Sequence, residues 1–240
     1  MTVLGQAGTA VAAAADDPSC YSRFTNNWVC VSYWQDRSSD LIDATQEHLQ
    51  ITVVSVLLGL VIALPMAVIA RRFARLKAGI LGLSTALYTI PSLALFPILV
   101  VFTGITMTTV IIGLALYSLT ILVRNTLTGL EAVPDDVRES ATGLGYGSTR
   151  LLLKIEFPLA LPVIMAGLRV ATVSTVALTT VGAIVSYGGL GELLLDGVNN
   201  DFKAEIFAAS VLCVALAFTL DVLLLALQWL MTPWTRARGA

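Results

Sequence analysis

The sequence predicts an all-α integral membrane protein with about five transmembrane helices, and three observations carry that prediction. Hydrophobic residues make up 57% of the 240 and charged residues only 12%, against about 25% charged in an ordinary soluble domain. The mean hydropathy is +0.85. The apolar residues also fall in long runs with few charges rather than in short alternating ones. A soluble core of this size has no room for so much apolar surface, so lipid is the expected solvent. A disordered chain, a collagen-like fibre and a disulfide-built miniprotein are excluded by the same composition. With a net charge of −2 nothing calls for a nucleic-acid partner.

Crossing a hydrocarbon core of about 30 Å takes roughly 20 helical residues. Five stretches qualify: about 49–70, 78–102, 106–123, 162–185 and 204–231. In lipid the backbone must satisfy its own hydrogen bonds, which makes these runs helices. Barrel strands would alternate over about ten residues, and these do not. Pro91 and Pro97 in the second run predict a kink or break, since proline removes a donor and crowds the preceding turn. Residues 1–47 read as an extracytoplasmic tail, because no basic region precedes the weak Ala-rich stretch at 12–15 as a signal peptide would require. Residues 48–232 read as the membrane domain and 233–240 as a cytoplasmic tail.

Orientation follows from Lys and Arg placement. Arg71, Arg72, Arg75 and Lys77 cluster after the first run. Arg124, Arg138, Arg150 and Lys154 flank the long polar segment after the third, and Arg236 and Arg238 end the chain. The opposite side holds only Arg23, Arg37 and Lys203, among acids that include Asp16, Asp17, Asp36, Asp40, Asp43, Glu47, Glu192, Asp196 and Asp201. The amino terminus is therefore expected outside and the carboxyl terminus in the cytoplasm. Cys20 and Cys30 would lie where an oxidising compartment permits a disulfide, or would stay as two thiols. Cys213 reads as a small packing residue in the fifth run. His48 is the single histidine. It supports neither a metal site nor a Ser/His/Asp triad, and an interfacial place is expected for it. No internal repeat is evident.

The segment 124–161 carries the most information: RNTLTGLEAVPDDVRESATGLGYGSTRLLLKIEFPLAL. Pro134 suits the start of a helix, and Asp135 and Asp136 then complement the positive end of its dipole. Asp135 and Arg138 stand three apart and can pair on one face. The helix is expected to run to about Leu144 and to stop at Gly145. A connector between neighbouring helices is usually far shorter, so this short capped polar helix is expected to dock into something.

At these residues the sequence resembles a known family. The pattern E-A-A-x-x-x-G, nine residues, then I-x-L-P marks the coupling loop of the permease subunits of binding-protein-dependent ABC importers. Here it reads Glu139, Ser140, Ala141, Gly143 within the spacer, Gly145, then Ile155, Phe157 and Pro158. Ser140 replaces an Ala and Phe157 a Leu. Beyond the motif, YTIPSLALF (88–96), YSLTILVRNTLTGL (117–130), PLALPVIMAGLR (158–169) and GGLGELLLDG (188–197) are similar to the osmoprotectant branch, which imports glycine betaine, choline, carnitine or proline. The resemblance leaves out the first 47 residues. It implies the type I ABC importer permease fold and a second permease subunit, the same chain or a paralogue. It also implies two ATP-binding subunits that carry ATP and Mg, and an extracytoplasmic substrate-binding protein. The chain itself lacks G-x-x-x-x-G-K-[ST], so no cofactor is expected on it.

Candidate pathway or gate residues are Tyr88, Pro91, Ser92, Tyr117, Arg169, Tyr187, Gly188, Gly189 and Asp221. Arg169 and Asp221 are ionisable groups inside apolar runs, where charge is costly and is usually paired. They pair with each other, or Arg169 snorkels to the cytoplasmic interface. Tyr88, Phe96, Phe102, Tyr117 and Tyr187 offer faces to a quaternary ammonium, or simply pack. Residues 186–201 read as a re-entrant or surface-lying segment, part of an outer gate or a docking surface. Rival functions are an amino-acid permease such as one for methionine, a secondary transporter or channel, and a non-transport membrane scaffold.

Overall fold

A computed structural model describes residues 19–22 and 25–234. Asp16, Asp17, Arg23, Arg236 and Arg238, used above for orientation, lie outside the described residues, as does the Ala run at 12–15. The described residues form ten α-helices with no strand: α1 Val31–Asp36, α2 Ser38–Arg72, α3 Ala74–Thr89, α4 Ser92–Thr103, α5 Met107–Glu131, α6 Asp135–Gly143, α7 Ser148–Leu151, α8 Phe157–Thr179, α9 Leu190–Asn199 and α10 Lys203–Met231. A π-helical turn, Leu152–Glu156, joins α7 to α8, and a 3₁₀ turn, Thr180–Val185, follows α8. Four helical segments are long and apolar enough to cross a membrane: Ser38–Arg72, Met107–Glu131, Ser148–Val185 and Lys203–Met231.

The second run is not one continuous helix. It breaks into α3 and α4, which meet at 98°. Pro91 caps α4 at φ −58°, ψ 135°, and Ile90 before it is extended, because a residue preceding proline is pushed out of the helical region. The buried Tyr117 hydroxyl donates to the Ile90 carbonyl freed by the break, the repair that apolar surroundings demand. Pro97 stays inside α4; of the two prolines, only Pro91 sits where the chain turns.

Three elements outrun the apolar patterns. Residues 31–47 are largely helical rather than a tail, since α1 and the first turns of α2 occupy them. The third run continues as α5 to Glu131, and the fourth begins at Ser148. Segment 124–161 is thus mostly helix, and Ile155, Phe157 and Pro158 lie in one helical run instead of a loop. Apolar periodicity marks the part of a helix in lipid; the ends in water carry polar residues and no such signal.

The centre of the bundle is α2 against α5 and α5 against α8. Small residues permit that closeness. A Cβ on Gly59 would fall 2.0 Å from Ser118 Oγ, and one on Gly167 2.3 Å from Asn125 Cβ. Hydroxyls bond within the same core: Thr52 to Thr179 at 3.2 Å and Ser118 to the Ala115 carbonyl at 2.8 Å. His48 is fully buried among these helices, its Nε2 3.0 Å from the Val176 carbonyl. The helix α10 packs on α8 and α9 and presents Val214, Phe218 and Leu223 outward, a face suited to lipid. Cys213 on it is a half-buried free thiol.

Candidate functional site

Two ends of the bundle collect the polar chemistry. At one end stands α6. Pro134, at φ −61° and ψ 144°, precedes it, and Asp135 and Asp136 occupy its first turn. It closes at Leu144, and Gly145 takes φ +84°, a left-handed turn that glycine adopts without strain. Only Ala141 of this helix is buried. Glu139, Ser140, Gly143 and Gly145 face out, and Leu144 is 80% exposed. Among the described residues Glu139 has neither a hydrogen bond nor an ion pair. This short helix thus presents a carboxylate and small residues to solvent, with Leu144 exposed at its end.

Behind α6 lies a charge cluster absent from the sequence reading. Glu156, with a side chain only 4% exposed, receives both terminal nitrogens of Arg71, the last turn of α2. Arg138 Nε of α6 donates to the same carboxylate at 3.1 Å. Arg138 also donates to Asp135 at 2.6 Å and to the Leu130 carbonyl of α5 at 2.8 Å. A cavity of about 390 Å³ opens beside the cluster, lined by Arg71, Arg72, Thr142, Tyr146 and Ser148 among others. The sequence offered one signal for Glu156, a single acid beside the apolar stretch FPLALP; its position in the motif is an unspecified one.

The candidate pathway residues gather in three places rather than one. Tyr88 and Tyr117 meet edge to face, ring centroids 5.9 Å apart, beside the α3–α4 break that holds Pro91 and Ser92. Phe96 is fully buried, Tyr187 packs in its cluster, and Phe102 is largely exposed. The five aromatics therefore form no common cage. Arg169 and Asp221 make the second group: Nε and a terminal nitrogen donate to the two carboxylate oxygens at 2.8 and 2.7 Å. The pair stays 27% and 30% exposed at the mouth of a cavity of about 460 Å³ with Ala166, Val170, Val173 and Ser174. Arg169 is thus engaged by α10 rather than reaching for an interface.

The third group lies at the opposite end. Gly188 and Gly189 lead into α9, and their amides donate to Glu192 and Glu47 at 3.3 and 3.2 Å. Gly189 has φ +53°, and a Cβ there would meet the Ala44 carbonyl and the His48 nitrogen at 2.6 Å each. No other residue fits so close to α2. The 186–201 segment is mainly this helix, packed on α10 and α2. Beside it Cys20 and Cys30 are joined by a disulfide. Within the segment they close, Asn26 donates to the Asp201 carbonyl at 2.6 Å, and just after it Tyr33 of α1 lies edge-on to Phe202 at 5.3 Å. Burial raises the Tyr33 phenol above its usual range, so it stays neutral there. Among the described residues no group of three or more His, Cys, Asp or Glu is placed to hold a metal ion.

Residues 55–237 match the family model described as binding-protein-dependent transport system inner membrane component. The chain belongs to that family. As such a component it is a multi-pass protein of the bacterial inner membrane. It is 36% identical over 209 residues to the osmoprotectant import permease protein OsmW of Salmonella typhimurium, a match covering 85% of this chain and 97% of that one. It is 32% identical over 209 residues to the choline transport system permease protein OpuBD of Bacillus subtilis, covering 87% and 92%. Its fold is similar to that of the inward-facing methionine ABC transporter MetNI, with a TM-score of 0.75, 22% identity and coverage of 82% of this chain and 99% of that one. The family model's match begins at residue 55, within α2, so the disulfide-closed segment and α1 lie outside it.

Proposed function

We propose that this transport component is one permease subunit of an ATP-driven importer of osmoprotectants such as glycine betaine, choline, carnitine or proline. The observation that carries the reading is α6, a short polar helix held between two spans, whose Glu139 side chain is exposed with no hydrogen bond or ion pair among the described residues and whose end leaves Leu144 exposed. The sequence carries no G-x-x-x-x-G-K-[ST] phosphate loop, so the reading assigns ATP to a separate subunit. In this reading α6 docks on a separate ATPase that binds ATP and Mg, and two such subunits serve two permease chains. When ATP closes the ATPase pair, α6 moves, and α5 and α8 on either side of it tilt to switch access to the pathway.

Charge supports the orientation. The α6 end carries Arg71, Arg72, Arg75, Lys77, Arg124, Arg138, Arg150 and Lys154, whereas the α9 end carries Arg37 and Lys203 among acids, the asymmetry of a cytoplasmic and an external face. The α9 end then receives a substrate-binding protein, and the hairpin closed by Cys20 and Cys30 lies in an oxidising compartment. The solute class rests on the names of the relatives; the likeness to the methionine transporter concerns the fold. A membrane scaffold would explain the helices but leave the spacing of Glu139, Gly145, Ile155 and Pro158 to chance.

The test is ATP hydrolysis by the chain assembled with its ATPase in liposomes, with the binding protein loaded in turn with betaine, choline, carnitine, proline or methionine. Stimulation by a betaine-class solute is expected. Stimulation by methionine alone would move the chain to the amino-acid branch, and none from any solute would remove the importer reading.

A further inference from the structure

We propose that the Glu156 carboxylate is the positioning group through which displacement of α6 reaches α2 and α8 during transport. The inference rests on the importer reading and adds to it the residue that transmits the movement.

Little apolar packing holds α6. It buries one of its own residues, Ala141, so apolar packing gives it a weak grip on the bundle. Arg138 supplies the grip. Its guanidinium has three acceptors: Asp135 in its own helix, the Leu130 carbonyl at the end of α5, and Glu156 in the π-helical turn. Bonded on three sides, that fork cannot swing independently of α6, and any motion of the helix is imposed on Glu156. The carboxylate in turn grips Arg71 of α2 by both oxygens. One buried acid thus joins the ends of α2 and α5, the whole of α6 and the entry to α8.

The turn that carries Glu156 suits the role. Residues 152–156 are π-helical, the wider winding found as single turns inside α-helices and often at functional positions. Pro158 stands two residues after Glu156. It has no amide hydrogen to give, and its ring crowds the carbonyl four residues back, at Lys154. A turn already relieved of one α-helical bond can change its winding without breaking another. The charge balance adds directionality. Two guanidiniums share one carboxylate; if Arg138 lets go, it keeps Asp135 and Glu156 keeps Arg71, so a second charge-paired arrangement is already in place. The cluster therefore favours discrete arrangements over gradual loosening, which is what transmission between sites requires.

The experiment compares complexes of wild type, Glu156→Gln, Glu156→Asp and Arg138→Gln, each with ATPase and binding protein in liposomes. It reads solute taken up per ATP hydrolysed beside the melting temperature of each complex. For Glu156→Gln, stimulation by loaded binding protein is expected to fall roughly tenfold, within the 5–150-fold span of ordinary site-to-site coupling. Uptake per ATP is expected to fall with it, and Glu156→Asp should recover part of both. Arg138→Gln keeps the Arg71–Glu156 pair whole and should show the same uncoupling; it decides the matter if Glu156→Gln fails to assemble. Wild-type uptake per ATP in the assembled variants overturns the proposal, even with a lowered melting temperature, because a purely structural anchor predicts that result. A wild-type complex without solute-stimulated hydrolysis fails earlier and removes the importer reading, and this inference with it.

Discussion

Glu139 and Asp221 are both carboxylates, yet their surroundings assign them opposite tasks. The Glu139 side chain stands exposed on α6 with no hydrogen bond or ion pair among the described residues, so its removal should leave the fold intact and act on coupling alone. Glu139→Ala is expected to insert and to assemble with the ATPase while solute uptake drops about tenfold or more, the scale of a lost coupling contact. Uptake measured in liposomes checks this, and wild-type uptake would contradict it. Asp221 is engaged by Arg169 through two hydrogen bonds of 2.7 and 2.8 Å. Asp221→Asn should leave Arg169 charged without its counter-ion inside a spanning segment, and lower the melting temperature of the purified chain. The double replacement Arg169→Leu with Asp221→Leu should recover much of that loss, since the cost lies in the unpaired charge rather than in the missing pair. A single variant that melts like wild type would show the pair to be dispensable.

At the scale of elements, the contact of α5 with α8 depends on Gly167. A Cβ there would lie 2.3 Å from Asn125 Cβ, so Gly167→Val must push the helices apart or displace Asn125. Overpacking of this kind costs about 1–3 kcal/mol, read as a lower denaturation midpoint in detergent. Gly143→Ala, with nothing within 4 Å of the added carbon, is the matched control and should stay near wild type. This scale also shows which features were legible in the sequence. The short helix was readable because Pro134, two acids and a glycine stop mark its ends chemically. The apolar centres of the spans were readable from length and composition. The first turns of α2, the end of α5 and the start of α8 were not, since helices continuing into water carry residues such as Asp40, Glu131 and Arg150 that read as loop. The aromatic residues looked like a set in one dimension, and the fold separates them. Glu156 was hidden for a related reason: a buried charge declares itself only when its partners, here 85 and 18 residues away, are brought beside it.

Across the whole molecule, the chain places its two kinds of chemistry at opposite ends of one helical bundle. At the α6 end a solvent-facing helix is tied by Arg138, Glu156 and Arg71 to three other elements. At the α9 end, glycine amides held by Glu47 and Glu192 close the loop against α2, and a disulfide hairpin grips the turn into α10. Between them α5 and α8 pack closely against each other, with Gly167 of α8 set against Asn125 of α5. Family membership fixes that this is a transport component; ATP-driven import of a betaine-class solute is the claim to be tested. The most direct measurement is ATP-dependent accumulation of labelled glycine betaine or choline in liposomes holding the chain with its ATPase and binding protein. The account predicts accumulation against a gradient that needs ATP inside the cytoplasmic-side compartment and stops in Glu139→Ala. Accumulation that proceeds without ATP, or that serves methionine and no quaternary ammonium, would contradict it.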